Sequence, residues 1–172
     1  MNYFPRLNSE RLILKKLEAE NLTALTRLAN NKKVSDQIVN IPHPYTDINA
    51  SMRLGYVTKG FKEGSRYCFS IFTKDRMEFI GEISLHETDK ENSVAELGYW
   101  IGEPYWNKGF VGEAVAPVVQ FGFEKVGYQT IYATVRTGNI ASERVLVKNG
   151  FEKFKEDALQ KAYKISKEGI MK

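Results

Sequence analysis

The sequence predicts a mixed α/β domain, a strand meander followed by strands that alternate with helices. Two patterns point there. YCFSIFT (67–73) and FIGEISLHE (79–87) alternate in polarity on either side of a KDR turn, and SVAELGYWIG (93–102) extends them to three strands. Beyond 102 the apolar period switches between helix and strand. With no internal repeat, low-complexity tract or linker, residues 1–172 read as a single domain.

Taken in order, 11–16 is a first strand, and Leu22, Leu25, Leu28 and Ala29 mark a helix over 20–30. In 44–60 Asp47 is the expected cap of a second helical region, whose apolar residues include Ile48, Met52, Tyr56 and Val57. The meander follows. A glycine-containing loop then leads into a helix over 110–126, closed by Gly127 and expected to kink at Pro117. TIYATVR (130–136) is the next strand. A helix over 139–149 stops at Gly150, and two last strands are expected near 151–155 and 161–166.

Composition narrows the functional classes. With 42% hydrophobic and 27% charged residues the chain reads as soluble, and a net charge of +4 suits a phosphate-bearing ligand as well as nucleic acid. Cys68 is the only cysteine, which excludes an internal disulfide and a Cys-rich zinc site; it is expected to pack as a small apolar residue. His43 and His86, the only histidines, read as loop and strand-end residues, so no metal is expected. The N-terminus lacks a signal-peptide core and no run approaches the ~20 apolar residues of a membrane span. A cytoplasmic chain with no membrane partner is the expectation.

The stretch EPYWNKGFVGEA (103–114) carries glycines at a strand-to-helix junction. Exposed amides at a helix N-terminus suit an anion. A Walker loop needs G-x-x-x-x-G-K-[ST] and a dinucleotide loop G-x-G-x-x-G; neither pattern is present. G-F-V-G (109–112) fits the G-x-x-G of an RNA-binding KH loop, but its middle residues are apolar and no basic cluster flanks it. Nucleic acid is therefore disfavoured. The plainer alternative is that Gly109 and Gly112 only let the turn pack.

Three pieces stand together in order: A-E-L-G-Y-W-I (95–101), this loop, and N-x-x-S (139–142) with V-L-V-K-N-G-F (145–151). With S-E-R-L-I-L (9–14), they resemble the GNAT N-acetyltransferase superfamily, in its branch of RimJ- and RimL-type ribosomal-protein acetyltransferases. The resemblance implies a central, twisted, mostly antiparallel sheet of about seven strands, flanked by about four helices and splayed between its fourth (93–102) and fifth (130–136) strands. It also implies acetyl-CoA as the cosubstrate and acetyl transfer to a primary amine by direct attack in a ternary complex.

Carried onto this sequence, the resemblance assigns the pyrophosphate to the loop Lys108, Gly109, Phe110, Val111, Gly112 and Glu113. Gly109 matches the family's invariant glycine, whereas Val111 stands where the family usually has Gly or Ala. Tyr99, Trp100 and Ile101 would line the pantetheine arm; without the family they read as core. Glu96 matches the acidic position many members use as base, with Glu82 the second candidate. Its plain alternative is a strand-surface glutamate with a cross-strand partner. The tyrosine that many members use to protonate the leaving thiolate is Leu146 here, so Ser142 takes that role. Asn139 caps its helix, bonds the pantetheine, or both. Lys148 reaches toward the adenosine end or complements the helix dipole.

The acceptor pocket is expected from 42–61 and the tail, where no acidic cluster invites a polycation. A protein N-terminus or a small-molecule amine is the expected acceptor. The tail after Phe151 is shorter than the branch's, which bears on the last hairpin and on a possible homodimer contact. A catalytically silent CoA-binding module and a KH-like RNA binder are the alternatives from other classes.

Overall fold

Alternation along the meander sends odd and even residues to opposite faces, and that sorting organises the molecule. The computed structural model describes residues 3–38 and 40–170. Its sheet contains β1 (Leu7–Asn8), β2 (Leu12–Lys15), β3 (Arg66–Thr73), β4 (Phe79–Asp89), β5 (Val94–Ile101), β6 (Thr130–Arg136), β7 (Glu152–Glu156) and β8 (Gln160–Ser166). In space the order is β1-β2-β3-β4-β5-β6-β8-β7. Only β5 and β6 run parallel; the other neighbours are antiparallel.

One face carries Phe69, Ile71, Ile83, Leu85 and Leu97 against α4 (Phe110–Phe121) and α5 (Ile140–Lys148), with Val115, Val118 and Leu146 filling the core. The other carries Ile13, Cys68, Phe72 and Trp100 against α1 (Leu22–Ala29) and α3 (Asp47–Lys62), with Leu25, Leu28 and Val57 between them. Each fully buried Leu, Ile or Phe contributes roughly 1.5–3 kcal/mol. A one-residue slip of any central strand would exchange these two sets, so the register is firmly fixed.

The expected sheet of about seven strands flanked by about four helices is present, with small additions. Leu7–Asn8 adds an eighth strand by pairing with Ile13 and Leu14. Two four-residue helices, α2 (Lys32–Ser35) and α6 (Lys167–Ile170), are also present among the described residues. The final hairpin, β7 with β8, is formed. Thr46, not Asp47, caps α3: its Oγ1 accepts from the Asn49 amide while the Asn49 side chain accepts from the Thr46 amide.

Of the apolar residues named for α3, only Val57 lies on its buried face. Ala50, Val57 and Gly60 are buried, whereas Ile48, Met52 and Tyr56 are 73%, 68% and 53% exposed. Small residues let α3 approach the sheet; a Cβ on Gly60 would come within 2.7 Å of Arg66 Cβ. Helix α4 continues through Pro117 to Phe121, and the winding changes only at a π turn, Gly122–Val126, which Gly127 ends at φ 94°.

The feature that positions the site is the β5–β6 seam. Pairing covers Val94–Thr130, Ala95–Ile131 and Glu96–Tyr132, and then stops. Beyond it β5 stays paired to β4 as far as Ile101–Gly81, and β6 to β8 as far as Arg136–Gln160. The two strands therefore part with facing edges.

Candidate active site

A cavity of about 410 Å³ opens where the seam parts. Glu82, Ser84, His86 and Glu96 line it from β4 and β5, and Thr134 and Arg136 from β6. Asn139 and Ser142 meet it at the start of α5, while Leu25, Ile38, Ile41 and Tyr45 bound it on the side of α1 and the segment before α3.

At the start of α4, Gly109 is the N-cap at φ 78°, the left-handed region that glycine enters without a Cβ penalty. The first intrahelical bond runs from Glu113 N to Gly109 O at 3.1 Å. No side chain caps the helix, so the amides of Gly109, Phe110, Val111 and Gly112 have no protein acceptor among the described residues.

The loop is braced from the turn between β1 and β2. Glu113 accepts from Ser9 Oγ and from Arg11 N, each at 2.6 Å, and from Arg11 Nε at 2.7 Å. Arg11 Nη1 donates to the Lys108 carbonyl at 3.1 Å, and its guanidinium lies 4.6 Å over the Phe110 ring. Burial pushes the Glu113 carboxyl up, but the bonds from Ser9 and Arg11 outweigh it and hold it below its ordinary value. Glu113 thus offers the loop a brace, and its amide is spent inside the helix. Lys108 is exposed, with Nζ 5.6 Å over the Tyr105 ring.

Opposite the loop, Asn139 caps α5, its Oδ1 accepting from the Ser142 amide at 3.1 Å. The Tyr99 hydroxyl stands 2.8 Å from Ser142 Oγ. Burial pushes the Tyr99 phenol up to about 12, against a smaller opposing pull from the Ser142 hydrogen bond. Lys148 is exposed in the last turn of α5, away from this pair. The Ile101 carbonyl is taken by Trp106 Nε1 at 2.8 Å.

The two candidate carboxylates differ in what they touch. Glu96 stands opposite His86 on β4, with His86 Nε2 3.0 Å from its Oε2, and both side chains keep partial access to the cavity. Glu82 is 2% exposed. It accepts from Arg53 Nε at 3.2 Å and Trp100 Nε1 at 3.0 Å, with Cys68 Sγ at 3.6 Å. Trp100 accordingly lies on the Glu82 face of β5, and Tyr99 on the other.

Cys68 does more than fill space: it also accepts from Arg53 Nη2 at 3.2 Å. Burial, then the Glu82 charge, push its thiol up to about 12 against the opposing effect of Arg53. Burial and then the same charge raise Tyr45 to about 12. Arg53, Tyr45 and His86 were not singled out as site residues. Counting back from the β4–β5 turn pairs His86 with Glu96, but nothing local to Arg53 signals a partner 29 residues away.

Among the described residues no group of three or more His, Cys, Asp or Glu side chains is placed to hold a metal, and no helix is long and apolar enough to cross a membrane.

Residues 11–152 match the family model described as an acetyltransferase (GNAT) domain. The chain belongs to the GNAT acetyltransferases. It is 33% identical over 148 residues to the uncharacterized N-acetyltransferase p20 of Bacillus licheniformis, covering 86% of this chain and 82% of p20. It is 29% identical over 90 residues to the ribosomal-protein-serine acetyltransferase of Escherichia coli, covering 52% and 49%. Mycobacterium smegmatis RimJ in complex with CoA-disulfide superposes with a TM-score of 0.85 at 17% identity, covering 99% of this chain and 91% of that one. As a GNAT enzyme, this chain takes acetyl-CoA as its acetyl donor.

Proposed function

We propose that this GNAT acetyltransferase transfers acetyl from acetyl-CoA to a primary amine by direct attack in a ternary complex. The acceptor is a small-molecule amine or, as the ribosomal-protein relatives suggest, a protein N-terminus. One observation carries the reading: two incomplete hydrogen-bond patterns adjoin the same seam. The strands stop pairing after Glu96–Tyr132, and the first amides of α4 have no acceptor. Both fit acetyl-CoA. The pantetheine amides satisfy open strand edges as an added strand does, and a diphosphate suits a helix N-terminus.

In this reading Gly109, Phe110, Val111 and Gly112 offer amides to the diphosphate, Lys108 adds charge, and Glu113 holds the loop. Tyr99 and Asn139 flank the pantetheine arm. Trp100 and Ile101 act through the shape of β5, and Lys148 lies toward the adenosine end.

Acetyl-CoA supplies a thioester carbonyl, and the chain must deliver a neutral amine to it. At pH 7 deprotonation costs about 1 kcal/mol for an α-amine of pKa ~8 and about 4–5 kcal/mol for a lysine of pKa ~10.4. Glu96 takes that proton, with His86 orienting its carboxylate. Glu82 is the weaker candidate because it is buried, with Oε2 held by both Arg53 and Trp100 and Oε1 facing the Cys68 thiol. As the C–N bond forms and the C–S bond breaks, the Ser142 hydroxyl protonates the departing thiolate and is resupplied through Tyr99. A phenol raised to about 12 is fully protonated while it waits.

The test is a thermal shift combined with thioester cleavage. Acetyl-CoA should raise the unfolding temperature, and Glu96→Gln should cut kcat about 100-fold or more while keeping that shift. An unmoved unfolding temperature would remove acetyl-CoA binding, and with it the silent-module alternative. A preserved shift with unchanged turnover would remove Glu96 as the base.

A further inference from the structure

Arg53, Arg66 and Arg136 line the cavity together with Glu82, Glu96 and His86. Arg53 is neutralised by Glu82 at 3.2 Å. Arg66 and Arg136 have no carboxylate partner among the described residues. Arg66 lies 4.5 Å over the Tyr56 ring, and Arg136 donates Nη1 to the Asp36 backbone carbonyl at 2.7 Å. Each guanidinium has five N–H donors, so both retain unused ones.

Register places these charges around Glu96. Arg66 opposes His86, which opposes Glu96, so Arg66 and Glu96 are two strand spacings apart, ~10 Å at the backbone. Across the seam, Tyr132 is the partner of Glu96, and Arg136 lies four residues further along β6 on the same face. Glu96 thus lies between two strands that each carry a cavity-lining arginine, with Arg136 ~13 Å further along the opening. A polyamine here would set its spare ammonium groups against uncompensated guanidiniums. A carboxylate or phosphate would meet planar donors suited to bidentate contact, in a cavity of about 410 Å³ that the acceptor shares with the end of the pantetheine arm, which suits a small molecule.

We infer that the acceptor is a small amine that also bears a carboxylate or phosphate, recognised by Arg66 and Arg136. This inference rests on the acetyl-transfer reading of the same cavity.

CoA release is measured at saturating acetyl-CoA with matched probes: α-amino acids against their amides, O-phosphoethanolamine against ethanolamine, spermidine, and a neutral peptide with a free N-terminus. At least one anionic probe should exceed its neutral partner in kcat/KM by about tenfold or more, the loss typical of a charge-assisted hydrogen bond. Arg66→Gln or Arg136→Gln should erase most of that ratio through KM while acetyl-CoA still raises the unfolding temperature. Spermidine, the peptide or a neutral partner as the best acceptor overturns the inference. So does a ratio unchanged in both variants, or no turnover of any anionic probe by protein that acetyl-CoA stabilises. Loss of that stabilisation in the wild type instead overturns the acetyl-transfer reading beneath it.

Discussion

The hydroxyl oxygens of Tyr99 and Ser142 lie 2.8 Å apart, linking the stretch of β5 that has parted from β6 to the first turn of α5. Leu146, where many family members place a tyrosine, is buried in the core here. The phenol in this molecule comes from a different element and reaches Ser142 directly.

If the pair acts as one proton donor, Tyr99→Phe and Ser142→Ala should each lower kcat about 10- to 100-fold with little change in the KM for acetyl-CoA. The double variant should lose scarcely more than the worse single one, because groups acting as a unit are not additive. Steady-state rates of the three variants check this. With the Tyr99 phenol raised to about 12, its ionisation should not lower kcat at mildly alkaline pH.

Gly109→Ala tests the loop. At φ 78° an alanine bears the left-handed penalty of about 1–2 kcal/mol. Its Cβ would meet Arg11 Nη2 at 3.5 Å, an ordinary contact, so the cost is in the backbone. The expected result is a lower unfolding temperature and acetyl-CoA affinity weakened about tenfold, read by calorimetric titration.

Arg53 and Glu82 form an ion pair whose acid is almost wholly enclosed, with side chains 26% and 3% exposed. Removing Arg53 alone, as Arg53→Met, leaves a buried charge and should cost about 3–5 kcal/mol. Adding Glu82→Gln should recover part of that loss, and denaturant titration of the four proteins measures the coupling. In the folded wild type Cys68, raised to about 12 by burial first, should resist thiol reagents at pH 8 and react only after unfolding.

Glu113 predicts an acid-dependent loss of stability. Its folded carboxyl lies below the ordinary 4.5, since the Ser9 and Arg11 bonds outweigh burial. The brace is therefore at full strength above that value and is lost as pH falls through the lower folded one. Glu113→Gln should cost about 1–2 kcal/mol at neutral pH, kept modest by the exposure of Arg11. The gap between wild type and variant should close as acid is added below pH 4.5, followed by thermal melts across pH.

Legibility in the sequence followed the range of each interaction. The meander was readable because period-two alternation is local, and the loop because Gly109 and the end of a strand-like run adjoin. The core face of α3 was not. Its large apolar side chains, Ile48, Met52 and Tyr56, point to solvent, because close approach to β3 selects Ala50 and Gly60 instead. The Arg53–Glu82 pair joins a helix to a strand through tertiary packing that no local spacing encodes. Motif spacing puts Glu96 and Ser142 forward as candidates; the contact of Glu96 with His86 follows from the β4–β5 register, and that of Ser142 with Tyr99 from the position of α5 over β5.

Three residue pairs join β5 to β6, whereas β6 and β8 share seven. Mechanically, the sheet is two plates held along a short parallel weld. Under load or heat the plates should come apart first along that weld. If acetyl-CoA binds in the proposed way, its amides lengthen the weld, and the protein's toughness should rise and fall with each turnover.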